Sequence, residues 1–417
     1  MADFQLHPDK NFHYETLRSL GTSRYSGSDI QEQLALMPRI EPGDFDGWYK
    51  EWSGLAKRVL STIDTSRLSE YSPVTVRNVF FRASHYFWVS EFFLHAKWND
   101  SRSQSAFSSW RECFKIANAN LPIPGQFIEV PASFGQIPMY IFRTPDASAT
   151  RPKPLIILGG GFDNNMEELL HVFGFDVLER GYNVLIYDGP GQPSFLHRTQ
   201  GQPRQGFIHD WERVVTPIVS HILAQHSTSL SYIDTSRIAL LGMSLGGYLA
   251  ARAAAFEPRL AALICIDGVS SLHASLLSAM PAAIQEAWAA GDKVRFDALF
   301  AELSLPSNST AQRWMHDHGL FAFQAESGFE FFERAQEFVL DGEVAGKIGM
   351  PAFIGDAQRD IFFQGQPREV AEMIGEKATL FEFGEENGAA AHCASGALAY
   401  QNQVVWEWFE RVVCREG

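Results

Sequence analysis

LLGMSLGGYLAARAAAF, residues 240–256, places Ser244 between Gly242 and Gly246 at the junction of two different patterns. The apolar residues before the serine are typical of a buried strand, and the alanine-rich residues after it are typical of a helix packed on a sheet. A Gly-x-Ser-x-Gly motif is too short to be specific by itself. In this strand–turn–helix setting it predicts a nucleophile elbow, in which small neighbours allow a strained backbone at the serine.

Apolar segments and helical segments alternate on both sides of this motif. Fully apolar strands separated by helices are typical of a parallel sheet that is covered on both faces. The predicted strands are PLIILGGG (154–161), NVLIYDGPG (183–191), RIALLGMS (237–244), AALICIDG (261–268), PAFIGD (351–356) and ATLFEF (378–383). Before them, FIEV (127–130) and MYIFRT (139–144) predict a hairpin that turns near Gly135. The sequence therefore predicts a mostly parallel, doubly wound α/β sheet.

Two stretches lie outside this alternation and divide the chain. Residues 1–122 have the pattern of an aromatic-rich helical region, and residues 270–345 have the pattern of a helical insertion. We therefore expect an α/β core in two parts, 123–269 and 346–417, with an N-terminal helical region and an inserted helical cap.

The segment 76–98 of the N-terminal region is apolar around most of its circumference. Such a helix is usually sandwiched between other elements. Tyr86 and Trp88 in this segment are candidate substrate contacts, although we favour core packing over a ligand contact for any single aromatic side chain here.

Composition limits the partners and the location of the protein. The 417-residue chain has a formal net charge of −15 and no concentrated basic patch, so we expect neither a nucleic acid nor a membrane as partner. The first twenty residues lack the apolar core of a signal peptide. Four scattered cysteines without metal-type spacing indicate free thiols, and we therefore expect a cytoplasmic protein with no metal ion. The oligomeric state stays open, with a homodimer among the alternatives.

A serine hydroxyl needs a base and an orienting acid to act as a nucleophile. In nucleophile elbows of this kind, the partners follow along the chain in the order serine, acid, histidine. His392 lies in a small-residue loop between the last predicted strand and the last predicted helix, where a base would approach Ser244. The other histidines after the serine, which lie in or beside the insertion, are His273, His316 and His318.

Three aspartates are candidates for the acid. Asp360 lies in a loop just beyond the strand PAFIGD, from which a carboxylate can reach a histidine. Asp356 ends that strand and Asp267 ends the previous one, where an aspartate often orients a turn. We favour Asp360 over Asp356 and Asp267.

A tetrahedral intermediate needs backbone N–H donors aimed at its oxyanion. We expect one from Leu245, directly after the nucleophile, and another from Gly161 or Phe162 in the glycine-rich loop after PLIIL. Asp163 is a candidate contact for a substrate hydroxyl, and capping of the next helix is the alternative. No G-x-G-x-x-G follows the early strands, so we expect no dinucleotide and no other cofactor.

Together these stretches resemble the α/β-hydrolase superfamily. More narrowly, they are similar to the group that contains 2,6-dihydropseudooxynicotine hydrolase and the fungal pigment-pathway hydrolases that shorten polyketides. The resemblance extends from about residue 78 to 410 and includes LGGGFDNNMEELL, YDGPGQP, GDAQRDIFFQGQ and GAAAHCASGA. Two residues depart from the group's pattern: Asn164 stands where serine is frequent, and Pro193 where glycine is usual.

The resemblance implies that Ser244 is the nucleophile, Asp360 the acid and His392 the base, in an active site covered by the N-terminal helices and the insertion. It also implies a cofactor-independent hydrolase that cleaves a C–C bond or an ester of a hydrophobic, polyketide-like secondary metabolite through an acyl-enzyme. Two alternatives keep the fold. One is a cyclase or acyl transferase with the same triad, and the other is a ligand-binding protein without catalysis.

Overall fold

The computed structural model describes residues 4–197 and 203–415. Its strands are β1 (Gln126–Ala132), β2 (Gly135–Phe142), β3 (Lys153–Gly159), β4 (Asn183–Tyr187), β5 (Ile233–Met243), β6 (Ala262–Ile266), β7 (Ala352–Ala357) and β8 (Ala378–Phe383). Its α-helices are α1 (Lys10–Gly21), α2 (Ile30–Leu34), α3 (Phe45–Leu60), α4 (Pro73–Glu91), α5 (Ser101–Ala119), α6 (Met166–Leu169), α7 (Phe175–Glu179), α8 (Pro193–Leu196), α9 (Glu212–Gln225), α10 (Gly246–Phe256), α11 (Leu272–Ser278), α12 (Ala282–Ala289), α13 (Lys293–Glu302), α14 (Thr310–Phe323), α15 (Gly328–Ala335), α16 (Gly342–Ala345), α17 (Gln366–Ile374) and α18 (Leu398–Phe409).

The eight strands of the described residues form one sheet in the order β1-β2-β4-β3-β5-β6-β7-β8. β2 is antiparallel to both of its neighbours, and all other neighbouring pairs are parallel. Strands β4, β6 and β7 are buried along their whole length, as expected where helices cover both faces of a parallel sheet. The predicted α/β fold class and the predicted hairpin are therefore confirmed.

The chain divides into two compact units. One consists of residues Met1–Pro124 and Pro281–Phe331, and the other of residues Gly125–Met280 and Phe332–Gly417. The second unit contains the whole sheet. The division falls inside α15, and it assigns the middle of the predicted insertion to the same unit as the N-terminal helices.

The helical unit is held together by aromatic side chains. Trp48 of α3 lies 4.6 Å from Phe12 and 5.2 Å from Phe93, measured between ring centroids, and its indole N–H donates to a carbonyl of α4. Within the same unit, Trp314 of α14 stacks on Phe92. Packing of this kind explains the apolar character of the N-terminal segment, because such rings need partners on several sides.

Two helices differ from their predicted extents. α4 ends at Glu91 instead of continuing to residue 98, and α5 begins after Asp100, whose side chain caps it by accepting the Arg102 N–H. A π-helical turn, Leu170–Gly174, lies between α6 and α7. There the Asn402 side chain donates to the Val172 carbonyl, at a point where the normal hydrogen-bond ladder is interrupted.

The described residues contain no α-helix with the length and apolar character that crossing a membrane requires.

The turn between β5 and α10 is closely packed by backbone atoms. Ser244 has a φ of 61°, in the left-handed region that side-chain-bearing residues rarely adopt. A Cβ atom on Gly242 would lie 1.8 Å from the Gly246 carbonyl oxygen, and one on Gly247 would lie 1.9 Å from the Asp267 carbonyl oxygen. These positions therefore require glycine because backbone atoms already fill the space.

We expect Gly242→Ala to lower the free energy of unfolding by about 3 kcal/mol or more, since the new methyl group must displace backbone. Gly342→Ala is the matched control, because no atom lies within 4 Å of the Cβ position there. Urea denaturation of both variants measures the difference. Equal unfolding midpoints for the two variants would contradict the packing described for this turn.

Candidate active site

Ser244 lies at the turn between the carboxyl end of β5 and the first turn of α10. Its N–H donates to the Ile266 carbonyl of β6 at 2.7 Å, which fixes the turn to the neighbouring strand. Its side chain points to His392, with 2.9 Å between Ser244 Oγ and His392 Nε2. The serine is half-buried, so its hydroxyl keeps some access to solvent.

His392 lies in the loop between β8 and α18 and is buried. Its Nδ1 atom is 2.7 Å from Asp360 Oδ2. A carboxylate accepts and does not donate, so the neutral imidazole carries its proton on Nδ1 and leaves Nε2 as the acceptor for Ser244. The Phe362 ring packs edge-on against the imidazole, with 4.8 Å between ring centroids, and restricts its rotation.

Asp360 lies in the loop that follows β7. Its Oδ1 atom accepts the N–H groups of Phe362 at 2.6 Å and Phe363 at 2.8 Å, which leaves Oδ2 facing His392. Burial opposes ionisation of this carboxyl, but the charge of His392 and the hydrogen bonds from His392 and from the loop outweigh burial. They hold the pKa of Asp360 below its usual range.

The other two candidate acids have different partners in the structure. Asp356 stays at the end of β7 and pairs with Arg368, with 3.0 Å between Asp356 Oδ2 and Arg368 Nε. Asp267, at the end of β6, has its Oδ2 atom 2.8 Å from His392 Nδ1. Two of the three candidate acids, Asp360 and Asp267, therefore lie against the same imidazole nitrogen.

The glycine-rich loop after β3 lies against the Ser244 turn. A Cβ atom on Gly161 would lie 2.6 Å from the Met243 carbonyl oxygen and 2.8 Å from the Leu245 nitrogen. The loop and the first N–H groups of α10, which have no partner within the helix, therefore face the same space. Leu245 and the loop are brought together as the sequence predicts.

The buried side chain of Asn164 supports this loop through two hydrogen bonds. Its Oδ1 atom accepts the Gly161 N–H at 2.8 Å, and its amide donates to Glu168 Oε2, also at 2.8 Å. The Gly161 N–H is thus engaged, and an additional acceptor would have to share it. The asparagine that departs from the family pattern is therefore a structural support of the loop.

The remaining predicted site residue of this unit is Asp163, which is half-buried at the turn before α6. The cap of α6 is Asn165, whose side chain accepts the Glu168 N–H at 2.8 Å. The predicted alternative for Asp163, capping this helix, is therefore wrong.

Pro193, the other departure from the family pattern, occupies the first position of α8, where a missing N–H is tolerated.

Tyr86 and Trp88 have partners inside the helical unit. The Tyr86 hydroxyl donates to Glu32 at 2.8 Å and accepts the Asp29 N–H at 2.8 Å. Burial and the charge of Glu32 raise the pKa of this phenol. The Arg18 guanidinium lies 4.9 Å from the centre of the Trp88 ring. These contacts account for both side chains within their own unit, and their role as substrate contacts stays a prediction.

Sequence reasoning missed Glu168 and Cys393. Glu168 is a buried acid four residues after Asn164, and it directly follows a second buried acid, Glu167. Cys393 follows His392 with a φ of 53°, and its thiol lies 3.2 Å from Asp267 Oδ2. No local sequence pattern indicates this contact, because the two residues are far apart in the chain.

Asp267, His392 and Cys393 offer possible metal-ligand atoms within 4.8 Å of one another. Burial and the nearby charge of Asp267 raise the pKa of the Cys393 thiol, and only the deprotonated sulfur is a good ligand. The same three side chains are hydrogen-bonded to one another. The arrangement therefore favours a hydrogen-bond network over a metal centre.

Comparison with known proteins adds a family and a fold. Residues 155–379 match the model of the alpha/beta hydrolase family. Hydrolase LUC6 of Fusarium sp is 29% identical over 97% of this chain and 97% of its own length. The 20-hydroxy-prefusarin hydrolase FUS2 of Gibberella moniliformis is 29% identical over 96% of each chain. The crystal structure of 2,6-dihydroxy-pseudo-oxynicotine hydrolase has the same fold, with a TM-score of 0.67, 20% identity and coverage of 94% and 96% of the two chains.

We expect Asn164→Ala to lower the free energy of unfolding by about 1–3 kcal/mol, because it removes a hydrogen bond from the buried Gly161 N–H and another from the buried Glu168 carboxyl. Asn387→Ala is the control, since this asparagine is exposed and its side chain donates to the neighbouring Glu386. Thermal denaturation monitored by circular dichroism gives the comparison. The assignment of Asn164 as a loop support fails if both variants unfold at the temperature of the parent.

Proposed function

This chain belongs to the alpha/beta hydrolase family and is a hydrolase, and we propose that Ser244, His392 and Asp360 are its catalytic triad. One observation carries the proposal. Ser244 Oγ lies 2.9 Å from His392 Nε2, while His392 Nδ1 lies 2.7 Å from Asp360 Oδ2, so a continuous chain of hydrogen bonds joins nucleophile, base and acid. This geometry is the one that activates a serine hydroxyl.

In the proposed reaction, His392 Nε2 takes the Ser244 proton as the oxygen attacks the substrate carbonyl. Asp360 keeps the Nδ1 proton in place and stabilises the imidazolium that forms. Collapse of the tetrahedral intermediate transfers the proton from Nε2 to the leaving group, which is an alcohol or, in C–C cleavage, an enolate carbon. A water molecule, deprotonated by His392, then hydrolyses the acyl-enzyme and restores Ser244.

The proposed site for the oxyanion of the intermediate lies between the Ser244 turn and the loop after β3. The Leu245 N–H lies at the start of α10, where the helix dipole also favours negative charge. Phe162 is the proposed contact from the loop, because the Gly161 N–H already donates to Asn164 Oδ1. The close approach of Gly161 to the Leu245 nitrogen supports a single site made by both segments.

The proposed substrate is a hydrophobic secondary metabolite, a polyketide-like ketone or ester. The names of the curated relatives support this class, since one of them acts on 20-hydroxy-prefusarin. The surroundings of the base support it as well, because Phe362 covers the imidazole and the neighbouring Ile361 is 65% exposed. Asp163, half-buried beside the oxyanion loop, is the proposed contact for a substrate hydroxyl.

We expect a fluorophosphonate probe to label Ser244 in the parent protein, and Ser244→Ala to abolish labelling and reduce turnover by roughly 10⁴-fold or more. Ser229→Ala, at an exposed serine, serves as the control and should keep both properties. Peptide mapping by mass spectrometry locates the adduct. Labelling that persists in a folded Ser244→Ala variant would remove the serine from the mechanism.

We also expect a reaction carried out in ¹⁸O-labelled water to place one solvent oxygen in the acid product, because water is the proposed acyl acceptor. Mass spectrometry of the product, with the boiled enzyme as a control for exchange, gives the measurement. A product that contains no solvent oxygen would instead support attack by a group of the substrate itself, as in a cyclase.

A further inference from the structure

His392 Nδ1 faces two carboxyl groups, although one triad uses only one. Asp360 Oδ2 lies 2.7 Å and Asp267 Oδ2 lies 2.8 Å from this nitrogen. A neutral imidazole has one proton on Nδ1, so the two oxygens compete for it or share it. The triad described above leaves Asp267 without a function.

Asp267 is held in this position by its own contacts. It ends β6 with a φ of 57° and is 1% exposed. Its Oδ2 atom also accepts the Cys393 N–H at 2.9 Å, from the residue that follows the base. An asparagine could accept that N–H without the cost of burying an ionisable group. The carboxyl therefore serves something more than the fold of the loop.

We propose that Asp267 is a second acid for His392, which shares the Nδ1 proton with Asp360 and positions the imidazole when Asp360 is removed. The inference rests on the proposed function, because it needs His392 as the base of Ser244. Asp267 acts through His392 and is therefore a positioning residue.

The surroundings of the two acids shift their pKa values in opposite directions. Asp360 is stabilised as the anion by two backbone N–H groups, and its pKa is lowered. Burial and the like charge of Asp360 raise the pKa of Asp267 to about 6, against the opposing effect of His392. The titratable groups facing Asp267 among the described residues are Asp360, His392 and Cys393.

These differences give a pH dependence with a defined sign. Because its pKa is raised, Asp267 is protonated before Asp360 as the pH falls, and one negative charge then faces the base. At higher pH both acids are anionic, and two negative charges stabilise the imidazolium that forms when Ser244 loses its proton. Removing the Asp267 charge makes protonation of His392 less favourable, so the acid limb of the activity profile moves to lower pH.

The test is a double-mutant cycle of Asp267→Asn, Asp360→Asn and the double variant, with His392→Ala as the reference for loss of the base. The readout is the second-order rate of fluorophosphonate labelling of Ser244 as a function of pH, which needs no natural substrate. We expect each single variant to lose roughly 10- to 100-fold at neutral pH. We expect the double variant to approach the rate of His392→Ala, far below the product of the single effects.

The pH profiles separate positioning from a structural role. Asp267→Asn should move the acid limb to lower pH while its melting temperature stays close to that of the parent. The pH profile of Asp360→Asn, which keeps Asp267, should lie well above that of His392→Ala, because Asp267 then holds the Nδ1 proton. This second profile also tests the proposal if Asp267→Asn fails to fold.

The proposal is overturned if the effects of the two single variants multiply in the double variant, or if Asp360→Asn alone is as slow as His392→Ala. It is also overturned if the acid limb of Asp267→Asn coincides with that of the parent. Absence of a Ser244 adduct in the parent protein would instead reject the proposed function. The two failures are therefore distinguishable.

Discussion

The left-handed backbone at Ser244 is the constraint on which the site depends. A residue with a side chain adopts a φ of 61° only where the surroundings compel it, and here Gly242 and Gly247 let the backbones of two neighbouring segments close around the turn. The turn is fixed further by the hydrogen bond from the Ser244 N–H to β6. The serine side chain is thereby directed at His392, and the first N–H groups of α10 are directed at the loop after β3.

Buried charge is the second determinant of the site. An ionised carboxyl in a buried position is unfavourable unless hydrogen bonds and an opposite charge compensate for it. Asp360 receives two backbone N–H groups, whereas Asp267 receives one and also faces a thiol. Burial and the charge of Asp360 raise the pKa of Asp267, whereas His392 and the loop N–H groups outweigh burial at Asp360 and lower its pKa. One of them is suited to be the permanent anion and the other to respond to pH.

The sequence was sufficient to predict the sheet, because its strands are continuous apolar runs that end in glycine or aspartate. It also predicted which serine, histidine and aspartate the structure brings together, since their order along the chain follows the strands. It named Asp267 only as an alternative to Asp360, and it did not predict that both acids lie at His392 or that Asn164 and Glu168 support the oxyanion loop. Both depend on the distance between side chains from separate segments, which no local pattern records. The early end of α4 and the π-helical turn before α7 were missed for the same reason.

The central claim is that the Ser244 turn, His392 and the loop after β3 make one site for a tetrahedral intermediate. A crystal structure of the protein after reaction with a fluorophosphonate tests it most directly, because the bound phosphonate has the shape of that intermediate. We expect a covalent bond to Ser244 Oγ and a phosphonyl oxygen about 2.7–3.1 Å from the Leu245 nitrogen, with His392 still facing Asp360. A phosphonyl oxygen turned away from Leu245, or an adduct on another residue, would contradict it.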